Sequence, residues 1–303
     1  MKDTMQNKEK KYFRKKYIIP VVILLCILAG YIYMVVTWSP IDSESAKASE
    51  AIIREVAARS LGKDSNDLND EDFSQITRIS ISEKELSDIK LLEKFTNLQR
   101  LYLNYIKFPK KNIPQWMTLI SKIGLFDLSH KVGIDINALR KIYSLEEINV
   151  SGAQISNIEP LSELTNLKTL YLCSCKVSDL EPLKNLKNLQ CLSFNSTRVS
   201  NLEPLKGLSD LRELSINETD VLDIEPLKGL INLQILDIGN TKVSDIEPLK
   251  KLENLVSLYI YDTQVLDIEP LKELKNLKIT NNEKANEYIR PTYREGWELK
   301  DIT

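Results

Sequence analysis

Residues 203–224 read EPLKGLSDLRELSINETDVLDI, and residues 225–246 read EPLKGLINLQILDIGNTKVSDI. The first holds Leu205, Leu208, Leu211, Leu214 and Ile216; the second holds Leu227, Leu230, Leu233, Leu236 and Ile238 in the same places. Working outward, Glu-Pro-Leu recurs at Pro160, Pro182, Pro204, Pro226, Pro248 and Pro270, 22 residues apart. A fixed period of this size marks a stacked repeat rather than a fold closed around one core. Within a unit the apolar spacing is three, three, three, then two. Spacing by three suits a 3₁₀-like turn, in which i and i+3 eclipse. Spacing by two is the period of a strand. Neither piece can bury its leucines alone, so neighbouring units must line them into one core. The frame extends forward to Leu258 and Ile260, and back through residues 161–172 and 139–150. It continues back through Met117, Ile120, Ile123, Phe126 and Leu128, then residues 92–103, and finally Phe73, Ile76, Ile79 and Ile81. This predicts nine strand units within residues 73–280.

Other residues recur with the same period. Proline lacks an N–H and favours an extended predecessor, so it is expected to mark the return from strand to turn. Asn157, Asp179, Asn201, Asp223, Asp245 and Asp267 stand three residues before the prolines. Such side chains accept a bond from the N–H two residues on and fix a bend. Glu precedes each proline, and Lys184, Lys206, Lys228, Lys250 and Lys272 follow two residues after five of them. These rows read as a solvated face of compensating charge, in preference to a carboxylate ladder for a metal.

The pattern L-x-x-L-x-L-x-x-T-x-V-S-D-I-E-P-L resembles the 22-residue leucine-rich repeat of the internalin-like bacterial group. It is also similar to the leucine-rich regulatory subunit of protein phosphatase 1. The resemblance implies an α/β solenoid: a right-handed superhelix with a concave parallel β-sheet and an N-terminal helical cap. It departs from the family where asparagine is usual and this chain has Ala153, Cys175, Thr197, Thr219, Thr241 and Thr263. These short side chains cannot make an asparagine ladder, and a threonine ladder is expected instead.

The net charge of −2 hides an asymmetry. Residues 1–16 carry Lys2, Lys8, Lys10, Lys11, Arg14, Lys15 and Lys16 against Asp3 and Glu9, which leaves −7 on the remainder. A mildly acidic body argues against nucleic-acid binding. Residues 17–36 hold no charge, and at ~1.5 Å per residue they reach across a ~30 Å hydrocarbon core. Tyr17, Tyr31, Tyr33 and Trp38 flank the run, where rings favour the interface, and the basic side should remain cytoplasmic. An uncleaved signal-anchor is preferred to a cleaved signal peptide, because Ala46-Lys47-Ala48 lies far beyond Val36. Bulky Leu25 and Ile27 around Cys26 speak against a lipoprotein signal.

The organisation is therefore read as a basic tail at 1–16, a transmembrane helix at 17–38, a tether at 39–46 and a helical cap at 47–72. Repeats at 73–280 and a C-terminal cap or tail at 281–303 follow. Ile52, Ile53, Val56, Ala57 and Leu61 mark the apolar side of a helix over residues 48–61, with Gly62 ending it and Asn69 capping a second. Tyr288, Ile289, Tyr293, Trp297 and Leu299 suggest that the tail folds over the last unit. The repeat itself is expected to fail after Leu277, where Thr280 and Asn282 stand in apolar positions. The interval between the second and third strands is longer than the period, and the excess falls in residues 105–116.

Catalysis finds little support in this chain. His130 is the sole histidine, so zinc spacing and triads are missing, and only nine glycines are present. No cofactor or metal is expected. Cys173, Cys175 and Cys191 read as free thiols in stacked strands. Residues flanking the buried pair of each strand point to the other face. The partner-binding candidates there are Arg78, Arg100, Tyr102, Asp127, Glu147, Asn149, Tyr171, Asn195, Glu213, Asp237, Tyr259 and Tyr261. Tyr and Arg are common binding anchors, and Tyr259 with Tyr261 heads the set. The reading is a single-pass membrane protein that holds a protein or peptide partner outside the cytoplasm. An envelope scaffold and a non-catalytic regulatory subunit are the alternatives.

Overall fold

The computed structural model describes residues 43–107 and 134–281. Chain entry is helical. Helix α1, Ser43–Leu61, buries Ile53, Ala57 and Ala58. It starts five residues before the expected Ala48, so the last part of the expected tether at 39–46 is helix. Gly62 ends it at φ +66°, with the Lys63 N–H reaching back to the Ala58 carbonyl at 3.0 Å. Helix α2, Asp70–Gln75, is opened by Asn69, whose side chain accepts from Glu71 and Asp72 while Asp72 accepts from the Asn69 N–H. The Asn69 N–H and then Lys63 hold the Asp72 carboxyl below its usual range. Phe73 of α2 meets Phe95 with ring centroids 5.0 Å apart.

Among the described residues, nine short strands follow in one parallel sheet, in sequence order. They are β1 Arg78–Ser82, β2 Arg100–Asn104, β3 Glu147–Asn149, β4 Thr169–Tyr171, β5 Cys191–Ser193, β6 Glu213–Ser215, β7 Ile235–Asp237, β8 Ser257–Tyr259 and β9 Lys278–Thr280. From β4 to β7 the central leucines meet in register: Leu170, Leu192, Leu214, Leu236. Each rung from β3 onward returns through a 3₁₀ turn such as Glu203–Leu205, as the three-residue spacing predicts. Proline occupies the first turn, where its missing N–H costs nothing. The glutamate before it was expected to be extended; it is the first residue of the 3₁₀ turn itself. The Asx bends form as read: Glu181 N–H to Asp179 at 2.9 Å, Glu225 to Asp223 at 2.8 Å, Glu247 to Asp245 at 2.8 Å. The lysines pair with the glutamate three residues earlier in their own turn, as in Lys228–Glu225 at 2.8 Å. Such exposed pairs contribute only a few tenths of a kcal/mol.

Three expectations need restating. The predicted third strand unit, residues 117–128, lies outside the described residues. Strand β2 pairs directly with β3, Arg100 opposite Glu147 and Leu101 opposite Ile148. The interval between them is 47 residues, 25 more than the period of 22. The sheet still has nine strands because the repeat does not fail after Leu277. Ile279 takes the core place opposite Leu258, and Lys278 stands opposite Ser257, so this last unit is one residue short.

The third concerns the polar ladder. Thr197, Thr219 and Thr241 do not link rungs; each hydroxyl donates to the carbonyl three residues earlier in its own rung, at 2.7, 2.6 and 2.6 Å. Cys175 does reach across, to the Val150 carbonyl at 3.2 Å. A ladder of asparagines exists elsewhere, in the Asn-Leu pair that recurs before most of the strands. Asn166 donates to Tyr143 at 2.8 Å, Asn188 to Thr165 at 2.7 Å, Asn232 to Ser209 at 2.9 Å and Asn254 to Ile231 at 2.8 Å.

Helix α1 packs on the β1 end of the stack, where Ser49 Oγ accepts the Ser87 N–H at 3.0 Å. At the other end, burial falls away. Ile268 is 52% exposed, whereas its counterpart Ile246 is 1% exposed. No helix among the described residues is long and apolar enough to cross a membrane. The 17–38 segment and the tail from 282 onward lie outside the described residues.

Replacing Leu236, fully buried between two rungs, by Ala is expected to cost ~2–5 kcal/mol in urea unfolding. Leu266→Ala, at a side chain 98% exposed, should remain within ~0.5 kcal/mol of wild type.

Candidate protein-binding face of the sheet

The open face is made by the residues before, between and after the two core positions of each strand. Sharp turns end every rung. Glu83, Tyr105, Ser174, Ser196, Glu218, Asn240 and Asp262 sit at φ from 50° to 56°, and Gly152 takes the same place at 70°. Left-handed backbone costs a non-glycine residue about 1–2 kcal/mol. All of these except Asp262 turn the N–H onto the next rung: Ser174 to Asn195 at 2.8 Å, Ser196 to Asn217 at 2.9 Å, Asn240 to Tyr261 at 2.8 Å. In these turns an inter-rung bond offsets the strain. Since the residues are mostly not glycine, composition gave no sign of them.

The candidate residues separate by burial. Arg78, Arg100 and Glu213 are exposed, and Tyr102, Glu147, Tyr171, Asn195 and Tyr259 are half-buried. Asn149, Asp237 and Tyr261 are buried by their neighbours, which alternation along a strand does not foretell. Asn149 turns inward to accept the Ser151 N–H at 3.1 Å. Tyr261 lies across Gly239; a Cβ there would come within 2.2 Å of the ring. Tyr105 covers Gly152 in the same manner at 2.4 Å. A glycine on one rung thus seats an aromatic ring from the adjacent rung, a pairing visible only once the register is known. Asp127 lies outside the described residues.

Asp237 is the centre of a polar network. It accepts from Asn217 Nδ2 at 2.6 Å, Ser215 Oγ at 3.3 Å and the Gly239 N–H at 3.0 Å. Burial nonetheless raises its carboxyl above the usual value, with Asn217, Gly239, Ser215 and Tyr261 working in the opposite direction. Two strands away, the Cys191 thiol donates to the Tyr171 oxygen at 3.5 Å and lies 3.7 Å from Glu213. Burial, then Glu213, pushes this thiol up to about 12, so it stays protonated and weakly nucleophilic. Burial likewise raises Tyr171. At the β1–β2 end, the Arg78 guanidinium lies 4.9 Å from the centre of the Tyr102 ring. The Tyr102 hydroxyl is pushed up to about 12 by burial and by the adjacent Glu147, to which it is hydrogen-bonded. These groups are spread along the sheet and do not converge on one enclosed cavity.

Residues 165–207 and 209–251 each match the family model for leucine-rich repeats in two copies. The chain carries leucine-rich repeats. Among solved structures, internalin C2 of Listeria monocytogenes is similar at 27% identity and TM-score 0.66, over 77% of this chain and 96% of that one. Internalin InlF of the same organism is similar at 26% identity and TM-score 0.53, over 77% of each chain. A leucine-rich repeat protein of Leptospira interrogans shares the fold at 19% identity and TM-score 0.57, over 69% of this chain and 50% of that one. No curated protein sequence matches. The leucine-rich repeats are thus internalin-like in structure, an architecture suited to protein–protein contact.

Gly239→Ala should drive the new methyl into Tyr261 and cost ~1–3 kcal/mol in chemical unfolding. Asp237 provides a second test. Its folded pKa is raised above 3.8, so between those two values the folded state holds more proton and stability falls as pH rises. Asp237→Asn is expected to remove that slope from a series of urea midpoints across the acidic range.

Proposed function

We propose that this is a membrane-anchored leucine-rich repeat protein that holds a protein or peptide partner on the open face of its sheet. The observation that carries the reading is the row Arg100, Tyr102, Tyr171 and Tyr259: amphipathic anchors standing outside the core on a sheet that backbone bonds hold in register. Aromatic and arginine side chains on rigid elements lose little freedom when they bind. The leucines beneath repeat without change while these positions differ from rung to rung, which is how a constant scaffold presents a particular surface. Its likeness to two internalins supports the same class of role. The protein acts by binding rather than catalysis: its half-buried thiol stays protonated, and its carboxylates stand on separate strands.

The anchor is argued from sequence. Residues 17–38 cross the membrane once, and the basic residues before them keep the N-terminus in the cytoplasm. The repeats then face the periplasm or the cell surface. Binding on this face needs no help from Tyr261, which is committed to Gly239.

Crosslinking the full-length protein in native membranes, followed by mass spectrometry, should capture a partner. Tyr171→Ala with Tyr259→Ala should weaken that capture about tenfold or more, since aromatic anchors each contribute ~1–2 kcal/mol or above. Unchanged capture rejects the site. Protease added to intact or outer-membrane-permeabilised cells should digest the repeats; their protection would reject the topology.

A further inference from the structure

Arg78 and Arg100 stand directly opposite each other on adjacent strands, both exposed on the open face. Like charges in that relation repel across a strand spacing of ~4.8 Å. Elsewhere the chain compensates rows of like charge: the five glutamates of the 3₁₀ turns from Glu181 to Glu269 each have a lysine three residues on. Among the described residues, neither arginine forms an ion pair with a carboxylate. Glu147 stands opposite Arg100 in register, and it accepts a hydrogen bond from the Tyr102 hydroxyl. The Tyr102 ring in turn lies 4.9 Å from the Arg78 guanidinium carbon, which steadies the head group.

We propose that Arg78 and Arg100 form a carboxylate clamp for an acidic segment of the partner protein, laid across β1 and β2. Two adjacent guanidiniums offer planar forks of donors, the geometry that matches a carboxylate in bidentate fashion. The segment's charge relieves the repulsion between them, so the clamp gains from a bound anion beyond the hydrogen bonds themselves. Further along the face the sign reverses. Glu213 is exposed on β6. An acidic segment is therefore repelled over β6 and attracted over β1–β2, which fixes where along the sheet it docks. This inference rests on the proposed partner-binding role of the face and specifies the chemistry of one end of it.

The test uses the full-length protein in detergent and two fluorescein-labelled peptides of about twelve residues, one of alternating Glu and Ala and one of alternating Gln and Ala. Fluorescence anisotropy should show the Glu peptide binding about tenfold more tightly at low salt, with the difference shrinking as salt rises. Arg78→Gln with Arg100→Gln should abolish the preference with an unchanged melting temperature, while Arg78→Lys with Arg100→Lys should retain part of it. Equal binding of the two peptides by wild type, including no binding of either, overturns the clamp, as does a preference that survives in the double Gln variant. Capture of the native partner separates this inference from the wider one. If Tyr171→Ala with Tyr259→Ala loses the partner while the double Gln variant keeps it, the face binds and the clamp alone is wrong.

Discussion

A leucine on one rung of this protein has nothing to bury against except the leucines of the rungs on either side. Everything else in the structure depends on that mutual burial. Leu170, Leu192, Leu214 and Leu236 stand side by side in register and are almost fully buried. At ~1.5–3 kcal/mol for each buried side chain, the stack is worth far more than any polar contact it carries. It is also open-ended, since an outermost rung has a neighbour on one side only. The two ends show the consequence. Helix α1 packs at β1, whereas Ile268, in the last 3₁₀-turn rung, is half exposed.

Hydrogen bonds refine the stack rather than drive it. Three systems recur with the repeat: the Asx bends, the threonine bonds within a rung, and the asparagine bonds between rungs. Each satisfies backbone groups that the short strands and turns leave over. The left-handed residues at the strand ends belong to the same accounting. Their strain is tolerated because their N–H groups find carbonyls one rung away, and a residue of any type serves there if the next rung is present.

The open face follows from this arrangement. With the leucines turned inward and backbone bonds fixing the register, side chains on the other side are free to differ. They do so with a pattern: arginines toward β1 and β2, a thiol and tyrosine at β4 and β5, carboxylates at β6 and β7. Burial then divides this surface again. Asp237 and Tyr261 are drawn into the wall by their neighbours and support it, while Arg78, Arg100, Tyr102, Tyr171 and Tyr259 remain available to a partner.

The sequence by itself determined the repeat, its period and the order of turn and strand within it, because those follow from local spacing of apolar residues along one chain. The bends before each proline were equally legible, since an Asx bend closes within three residues. Tertiary structure alone decided which units are rungs. Strand β2 pairs directly with β3 across a 47-residue interval, and Ile279 joins the sheet one residue out of frame. It also decided that Tyr261 is buried on Gly239 and that Asn188 reaches Thr165. These outcomes depend on what stands one rung away, about 22 residues distant in the chain. Register between neighbours is a property of the stack as a whole, set by the sum of its contacts and not by any one unit's spacing.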